Sequence, residues 1–231
     1  MSSGEILYPL GDGVGMVRLV QASGSDLMCV SAARVSYDHD GGWKANDKLS
    51  EKDRKLIKYL LKESHWSPFE HCHATVHLKI PLFLRSQFVR HRSFSFSEVS
   101  ARYTEVKNEF YLPTEFRQQA KKNRQASDLA DMAPEWHKNA YNAIYDSVDL
   151  AINAYEYLLK TGVAREQARM VLPQAMYTSF FMSGSLRSWL HFLAARVDPA
   201  AQYESQQVAS AMLRLVRRAY PETFAAWEEL K

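Results

Sequence analysis

The sequence predicts an α+β domain, and three observations carry that expectation. From Cys72 to Ile80, apolar Ala74, Val76, Leu78 and Ile80 alternate with His73, Thr75, His77 and Lys79, the period of a half-buried strand. Several other segments repeat apolar residues at helical spacing instead. The two kinds of segment follow one another irregularly, without the strand–helix alternation of a parallel βαβ array.

The elements are justified in order along the chain. Between Ser25 and Val35 a polar start precedes Leu27, Val30 and Ala33, which predicts a short amphipathic helix. A second helix begins after Ser50, where Glu51 and Asp53 make a capping-box-like start; Ile57, Leu60 and Leu61 line one face, and it should end near Ser64. After the Cys72 to Ile80 strand, Pro81 suits the first position of a helix through LFLRSQFVRH. On it Leu84 and Phe88 share one face, and Gln87, Arg90 and His91 share another. The longest helix starts near Pro134, carries Trp136, Ala140, Ile144, Val148, Ile152, Tyr155 and Leu159 as a core or subunit-packing stripe, and closes at Gly162. A strand over Tyr177 to Met182 follows, then helices from Ser185 to Arg196 and from Pro199 to about Ala219, and a short one near the end. Tyr37 to Lys48 and Thr114 to Ala133 are polar, breaker-containing stretches that read as loops.

Composition narrows the class. The chain has 231 residues, 46% apolar and 24% charged, which suits one sizeable globular domain or two small ones. Its net charge of +3 is too small for a general nucleic-acid coat, so any anion binding is local. Two cysteines, Cys29 and Cys72, in no metal-like spacing, fit a reducing compartment. The start, MSSGEILYPLGDG, lacks a signal-peptide pattern, and no apolar run approaches the roughly 20 residues a membrane helix needs. A cytoplasmic protein is expected. Neither G-x-G-x-x-G nor G-x-x-x-x-G-K-[ST] occurs, so a bound nucleotide would be held another way.

The densest polar constellation is Arg90-His91-Arg92 with SFSFSEVSARY behind it, which adds Ser97, Glu98, Ser100, Arg102 and Tyr103. Arginine forks bind phosphate bidentately and serine hydroxyls add donors. If a helix end turns there into an extended segment, Ser100 and Arg102 point to the same side and converge on an anion. The bland alternative is a solvated basic turn. Phe94 and Phe96, interleaved with the arginines, need burial or a planar partner, and would also suit single-stranded nucleic acid.

RHRSFSFSEVS resembles, without a gap, the R-H-R, seven residues, Ser pattern of the flavin-dependent thymidylate synthases. AARVS (Ala32 to Ser36), HWSPFEH (His65 to His71), RMVLP (Arg169 to Pro173) and RSWLHFLAAR (Arg187 to Arg196) resemble that family's other blocks, so the likeness spans most of the chain. It implies a single domain over residues 1–231, with a mainly antiparallel sheet flanked by helices. It also implies a homotetramer with active sites at subunit interfaces, binding FAD, dUMP, methylenetetrahydrofolate and NADPH, and making dTMP and tetrahydrofolate with reduced flavin as hydride donor. By resemblance, the dUMP contacts fall on Gln87, Arg90, Glu98, Ser100, Arg102, Arg169 and Arg196. The FAD contacts fall on Ser67, Glu70, Arg90, His91, Arg92, Glu98, Arg187 and His191, and His65 is assigned to folate or flavin positioning. Ser185 stands where the family often has asparagine.

The residues bear on mechanism too. Cys29 in an apolar helix and Cys72 at a strand start read as small buried side chains, not as a thiolate that attacks uracil. Ser100 has no histidine and acid arranged as a relay and is taken as a binding residue. Arg196 is the candidate for activation, since its guanidinium stays cationic and can stabilise a uracil anion. His71, His73 and His77 fall on one strand face, but no cysteine or carboxylate joins them, and no metal is expected. Glu166 and Arg169 are spaced as a surface i, i+3 pair. Two other readings stay open: a single-stranded nucleic-acid binder using Arg90 to Tyr103, and a flavoprotein oxidase or reductase on the same scaffold.

Overall fold

The structure, a computed structural model, describes residues 4–35, 48–120, 127–129 and 133–231. The expected loop from Tyr37 falls outside the described residues up to position 47, as do 121–126 and 130–132 of the second expected loop.

Five strands form one sheet: β1 (Ile6–Leu7), β2 (Met16–Ser23), β3 (His73–Pro81), β4 (Ser95–Glu98) and, later in the chain, β7 (Tyr177–Ser185). Their order is β1-β2-β3-β7-β4 and every neighbouring pair is antiparallel. The helices are α1 (Asp26–Arg34), α2 (Glu51–Lys62), α3 (Leu82–Phe88), α4 (Pro134–Lys160), α5 (Arg165–Ala168), α6 (Leu186–Arg196), α7 (Tyr203–Val216) and α8 (Pro221–Glu229), with 3₁₀ turns at Ser67–His71 and Arg169–Val171. This is the expected α+β arrangement. Among the described residues no helix is long and apolar enough to cross a membrane.

The alternation in β3 decides the layering. Ala74, Val76, Leu78 and Ile80 are buried, and the register sets them beside Gly184, Met182, Phe180 and Thr178 of β7. Trp189, Leu190, Phe192 and Leu193 of α6 and Val208, Met212 and Val216 of α7 complete one core on that face. The intervening residues make polar contacts on the other face: Thr75 Oγ1 lies 2.8 Å from Ser183 Oγ, and His77 Nε2 lies 2.7 Å from Ser179 Oγ. Strand β2 was not among the expected elements, although MVRLVQAS between Gly15 and Gly24 carries the β-branched residues a strand favours. A register shift between Leu19 and Gln21 breaks its alternation, which hides the period in the sequence.

Several boundaries differ from expectation for identifiable reasons. Pro81 ends β3 opposite Tyr177 and only caps α3, since its φ of −61° fits extended backbone (ψ 150°) as well as helix. Helix α3 stops at Phe88, and a turn from His91 N to Phe88 O (3.1 Å) takes the chain out. Strand β7 continues three residues past Met182, because β3 pairs with it to Ser185, and the Ser185 hydroxyl then caps α6 at Ser188 N (3.3 Å). Helix α7 begins at Tyr203 instead of Pro199, because Asp198 draws Ala200 N (2.7 Å) and Ala201 N (2.9 Å) into a turn. Within the expected loop Thr114 to Ala133, Arg117–Gln119 and Ser127–Leu129 pair as a small antiparallel ladder, β5 and β6. The α4 stripe is core only at Val148 and Tyr155, while Trp136 is 63% exposed.

Two contacts join distant segments through buried polar atoms. Asp26 of α1 accepts from Glu222 N (3.0 Å), Thr223 N (2.9 Å) and Thr223 Oγ1 (2.6 Å), so α8 takes its N-terminal cap from another helix. Trp189 Nε1 donates to Ala74 O at 3.1 Å, which satisfies the buried indole.

Phe94 is the anchor of the Arg90-His91-Arg92 segment. Its ring is 8% exposed, meets Trp189 edge-on with centroids 4.9 Å apart, and lies over Gly184, where a Cβ would come within 2.6 Å of the ring. Gly184 is therefore needed for close approach. Gly184→Ala should lower stability by about 1–3 kcal/mol through overpacking, read as a lower denaturation midpoint at unchanged m-value.

Candidate active site

The end of α3, the turn that follows it and the last turn of α6 build the first part of the site. Arg196, the last residue of α6, donates from Nε to His91 Nε2 at 3.0 Å and from NH2 to the Gln87 carbonyl at 3.3 Å. Both acceptors are neutral, so the guanidinium is held without being neutralised. Burial lowers the Arg196 pKa and Arg90 lowers it further. His91 must be the neutral tautomer with its Nε2 lone pair free. Burial depresses its pKa and the Arg196 charge adds to the effect. The His91 ring also packs edge-on against Phe192, centroids 4.9 Å apart.

The 3₁₀ turn Ser67–His71 is tied to α6 at two points. Arg187 pairs with Glu70, and the His191 ring packs against Trp66 at 4.5 Å. The expected Arg187 and His191 pair is thus brought to one rim with Ser67 and Glu70, and burial, then Arg187, lowers the His191 pKa. His65 lies just outside this set: its ring meets Tyr59 at 5.9 Å.

A second set lines a separate cavity of about 870 Å³. Glu98, Ser100 and Arg169 are among its walls; Gln87, Arg90, Arg102 and Arg196 are not. Glu98 accepts from Thr178 Oγ1 (2.8 Å) and pairs with Arg85 (2.6 Å). Ser100 and Arg102 do not converge from an extended segment, because the strand ends at Glu98. Tyr103 N and Thr104 N then both turn back to Ser100 O, at 3.0 and 3.1 Å. Nor do Glu166 and Arg169 form the expected side-chain pair. Glu166 pairs with Arg102 (3.3 Å), and Arg169 Nε reaches only the Glu166 carbonyl (3.4 Å).

The arginines therefore divide into two classes. Arg85, Arg102 and Arg187 are matched by carboxylates, whereas among the described residues no carboxylate pairs with Arg90, Arg92, Arg169 or Arg196. Arg90 lies near enough to Arg196 to act on its charge, and unmatched guanidinium groups so placed are the donor set that phosphate and a developing anion need.

Other candidates resolve structurally. Phe94 is buried and Phe96 packs against the core, so neither offers a stacking face to nucleic-acid bases. His77 is occupied by Arg18 (3.3 Å) and Ser179 (2.7 Å), and among the described residues no three His, Cys, Asp or Glu side chains could hold a metal. Cys29 and Cys72 are fully buried with sulfurs 3.6 Å apart. The hydrogen bond with Cys72, then burial, raises the Cys29 pKa. Sequence reasoning missed Arg85, Thr178 and the buried Glu204, whose partners lie far away in the chain and leave no local pattern.

Comparison with known proteins adds to this geometry. A sequence model of the family described as thymidylate synthase complementing protein matches residues 18–222. A flavin-dependent thymidylate synthase of Kosmotoga olearia is 41% identical over 213 residues, covering 92% of this chain and 90% of that one. One from Thermus thermophilus is 42% identical over 226 residues, covering 98% and 80%. Among solved structures, the UMP/dUMP methylase PolB from Streptomyces cacaoi, bound with 5-Br dUMP, is similar with a TM-score of 0.83 and 35% identity, covering 93% of this chain and 95% of that chain.

The His91 geometry sets a pH dependence. Its folded pKa lies below the ordinary 6.5, so the stability gained from the neutral ring is fully present above that value. It is lost as pH falls through the lowered folded pKa, where a protonated ring would face Arg196 and sit between Arg90 and Arg92. His91→Asn should flatten the acid limb of a thermal-midpoint versus pH curve near and below pH 6.5, leaving what His77 and His191 contribute there and, at lower pH, what Asp53 contributes, since their pKa values are also lowered.

Proposed function

The chain belongs to the flavin-dependent thymidylate synthase family, and on that premise we propose the finer assignment. It converts dUMP to dTMP in the cytoplasm, as a single domain over residues 1–231. Methylenetetrahydrofolate is the carbon donor, FAD the flavin, NADPH the reductant and tetrahydrofolate the released product. The observation that carries the residue roles is Arg196, a partly buried cation held by His91 Nε2 and the Gln87 carbonyl and paired with no carboxylate among the described residues.

The chain's donor set fits a flavin dinucleotide. Arg90 and Arg92 are exposed and unmatched by carboxylates among the described residues, as its phosphates require, and Ser67, Glu70, Arg187 and His191 supply a polar rim nearby. A flavin bound there would supply the hydride-transfer chemistry, with NADPH as the reductant. The protein's own contribution is positional and electrostatic. Arg90 and Arg169 hold nucleotide charge, Ser100 and Arg102 add donors, Glu98 is kept in place by Arg85 and Thr178, and Arg196 stabilises negative charge on the uracil. His65 positions folate or flavin at the rim. No thiolate is needed, and Cys29 and Cys72, both fully buried, have no surface from which to attack a nucleotide.

Two features support a homotetramer with sites between subunits. The cavity holding Glu98, Ser100 and Arg169 does not include Gln87, Arg90 or Arg196, so facing copies would bring the two sets to one nucleotide. Helix α4 also exposes Trp136, Tyr141, Tyr145, Leu150 and Tyr157, apolar surface of the kind subunit packing covers.

Tritium release from C5-labelled dUMP, with flavin, NADPH and methylenetetrahydrofolate each omitted in turn, tests the assignment. Release that requires all three is expected. NADPH consumption without release in folded, flavin-loaded protein would leave an oxidase or reductase instead. Arg196→Ala should cut turnover by about 10²–10³-fold while flavin absorbance stays with the protein. The Cys29→Ala, Cys72→Ala double variant should keep turnover within a few-fold, and complete loss in folded protein would refute the thiol-independent route.

A further inference from the structure

The Gln87 side chain is the end of a polar chain that runs inward to a buried carboxylate. Its Nε2 donates to Gln202 Oε1 at 2.5 Å, and Gln202 Nε2 donates to Glu204 Oε2 at 2.9 Å. Glu204, 4% exposed, is held at its other oxygen by Arg117 NH2 (2.5 Å) and Tyr111 OH (3.4 Å). Arg117 in turn lies over the Tyr203 ring at 4.3 Å. Burial, then the Glu204 charge, pushes the Tyr111 phenol up, so it keeps its proton and donates.

The direction of every bond in this chain follows from its charged end. A carboxylate paired with a guanidinium only accepts, so the NH2 of Gln202 must face it. The carbonyl of Gln202 is then the end turned toward Gln87, and only an NH2 can meet it there. What remains on Gln87 is the second hydrogen of its NH2 group and, turned away from Gln202, the carbonyl oxygen. Among the described residues nothing donates to it, and the Arg196 bond goes to the Gln87 backbone carbonyl instead.

We infer that Gln87 turns its carbonyl oxygen, a fixed acceptor, to the nucleotide, and that Arg117, Glu204 and Gln202 are positioning residues that lock this orientation. The inference rests on the reading of Gln87 as a dUMP contact and adds its chemistry. A phosphate dianion offers only acceptors, so it gives the Gln87 carbonyl oxygen no partner. That oxygen reads a hydrogen-bond donor of the nucleoside, either the sugar 3′-hydroxyl or the uracil N3–H. A site with a fixed acceptor discriminates against a ligand lacking the matching donor, because the acceptor is left desolvated and unpaired.

The test is calorimetric binding of dUMP, 2′,3′-dideoxyuridine monophosphate and N3-methyl-dUMP to the flavin-loaded protein, in wild type, Gln87→Ala, Gln202→Leu and Glu204→Gln. Wild type should bind one analogue at least 10-fold more weakly than dUMP, and the analogue affected says which donor is read. That penalty should shrink below about 3-fold in Gln87→Ala. It should shrink similarly in Gln202→Leu and Glu204→Gln, where the Gln87 amide can turn over. A steric clash would not respond to Gln202→Leu. Gln202 is half-buried, so that variant keeps the Arg117–Glu204 pair even if Glu204→Gln folds poorly. A wild-type penalty unchanged in Gln202→Leu would overturn the positioning role, and absence of any Gln87-dependent penalty would overturn the acceptor. If Gln87→Ala binds dUMP as wild type does, Gln87 is no nucleotide contact, and the inference falls with that reading alone while the synthase assignment stands.

Discussion

Strands β3 and β7 pair from His73 opposite Ser185 to Pro81 opposite Tyr177, and this pairing carries the site at both of its ends. Past Pro81 the chain enters α3, which leads to Gln87 and the Arg90-His91-Arg92 turn; past Ser185 it enters α6, which ends at Arg196. The inner face of the same ladder buries Val76, Leu78, Phe180 and Met182 against α6 and α7. Gly184 belongs to that face, and its missing side chain leaves room for Phe94. The ring seats the turn so that His91 meets Arg196 at 3.0 Å. Sheet pairing thereby becomes placement of cationic groups, through one aromatic contact.

What the placed groups can do depends on how each charge is balanced. An arginine matched by a carboxylate, such as Arg187 with Glu70 or Arg102 with Glu166, has its field largely cancelled. Arg196 is fixed by a neutral imidazole and a backbone carbonyl, which constrain its orientation and leave its charge available. Glu204 shows the complementary use of a buried charge. Paired with Arg117, it imposes a direction on two successive amides and transmits that direction to Gln87 without reaching the site. Isolated amides are nearly symmetric in shape, so only such an anchored partner can decide which end they show.

Much of the scaffold was legible because it rests on local regularities. The period of two in β3, the Ser50–Asp53 capping box and the Gly162 terminus of α4 each appear in the structure as the residues predict. The motif blocks were legible too, because RHRSFSFSEVS and its companions are contiguous strings. Strand β2 was not, since its register shift at Leu19 and Gln21 removes the alternation. The turn at Ser100 escaped as well: the backbone of Tyr103 and Thr104 folds back on its carbonyl, and the Ser100 and Thr104 hydroxyls bond within the turn in a way that no periodic pattern announces.

The sequence by itself determined the α+β class, the one-sided core and the clustering of arginines around Arg90-His91-Arg92, because hydrophobic period and residue chemistry are properties of neighbours in the chain. Tertiary structure alone decided which arginines remain unmatched, that Gln87 and Arg196 lie apart from the cavity of Glu98, Ser100 and Arg169, and which end of the Gln87 amide is free. Those outcomes depend on partners as remote as Arg117 and Glu204, or Asp26 and Thr223. Such pairs leave no periodic trace, since a hydrogen bond is set by distance in space and not by spacing along the chain.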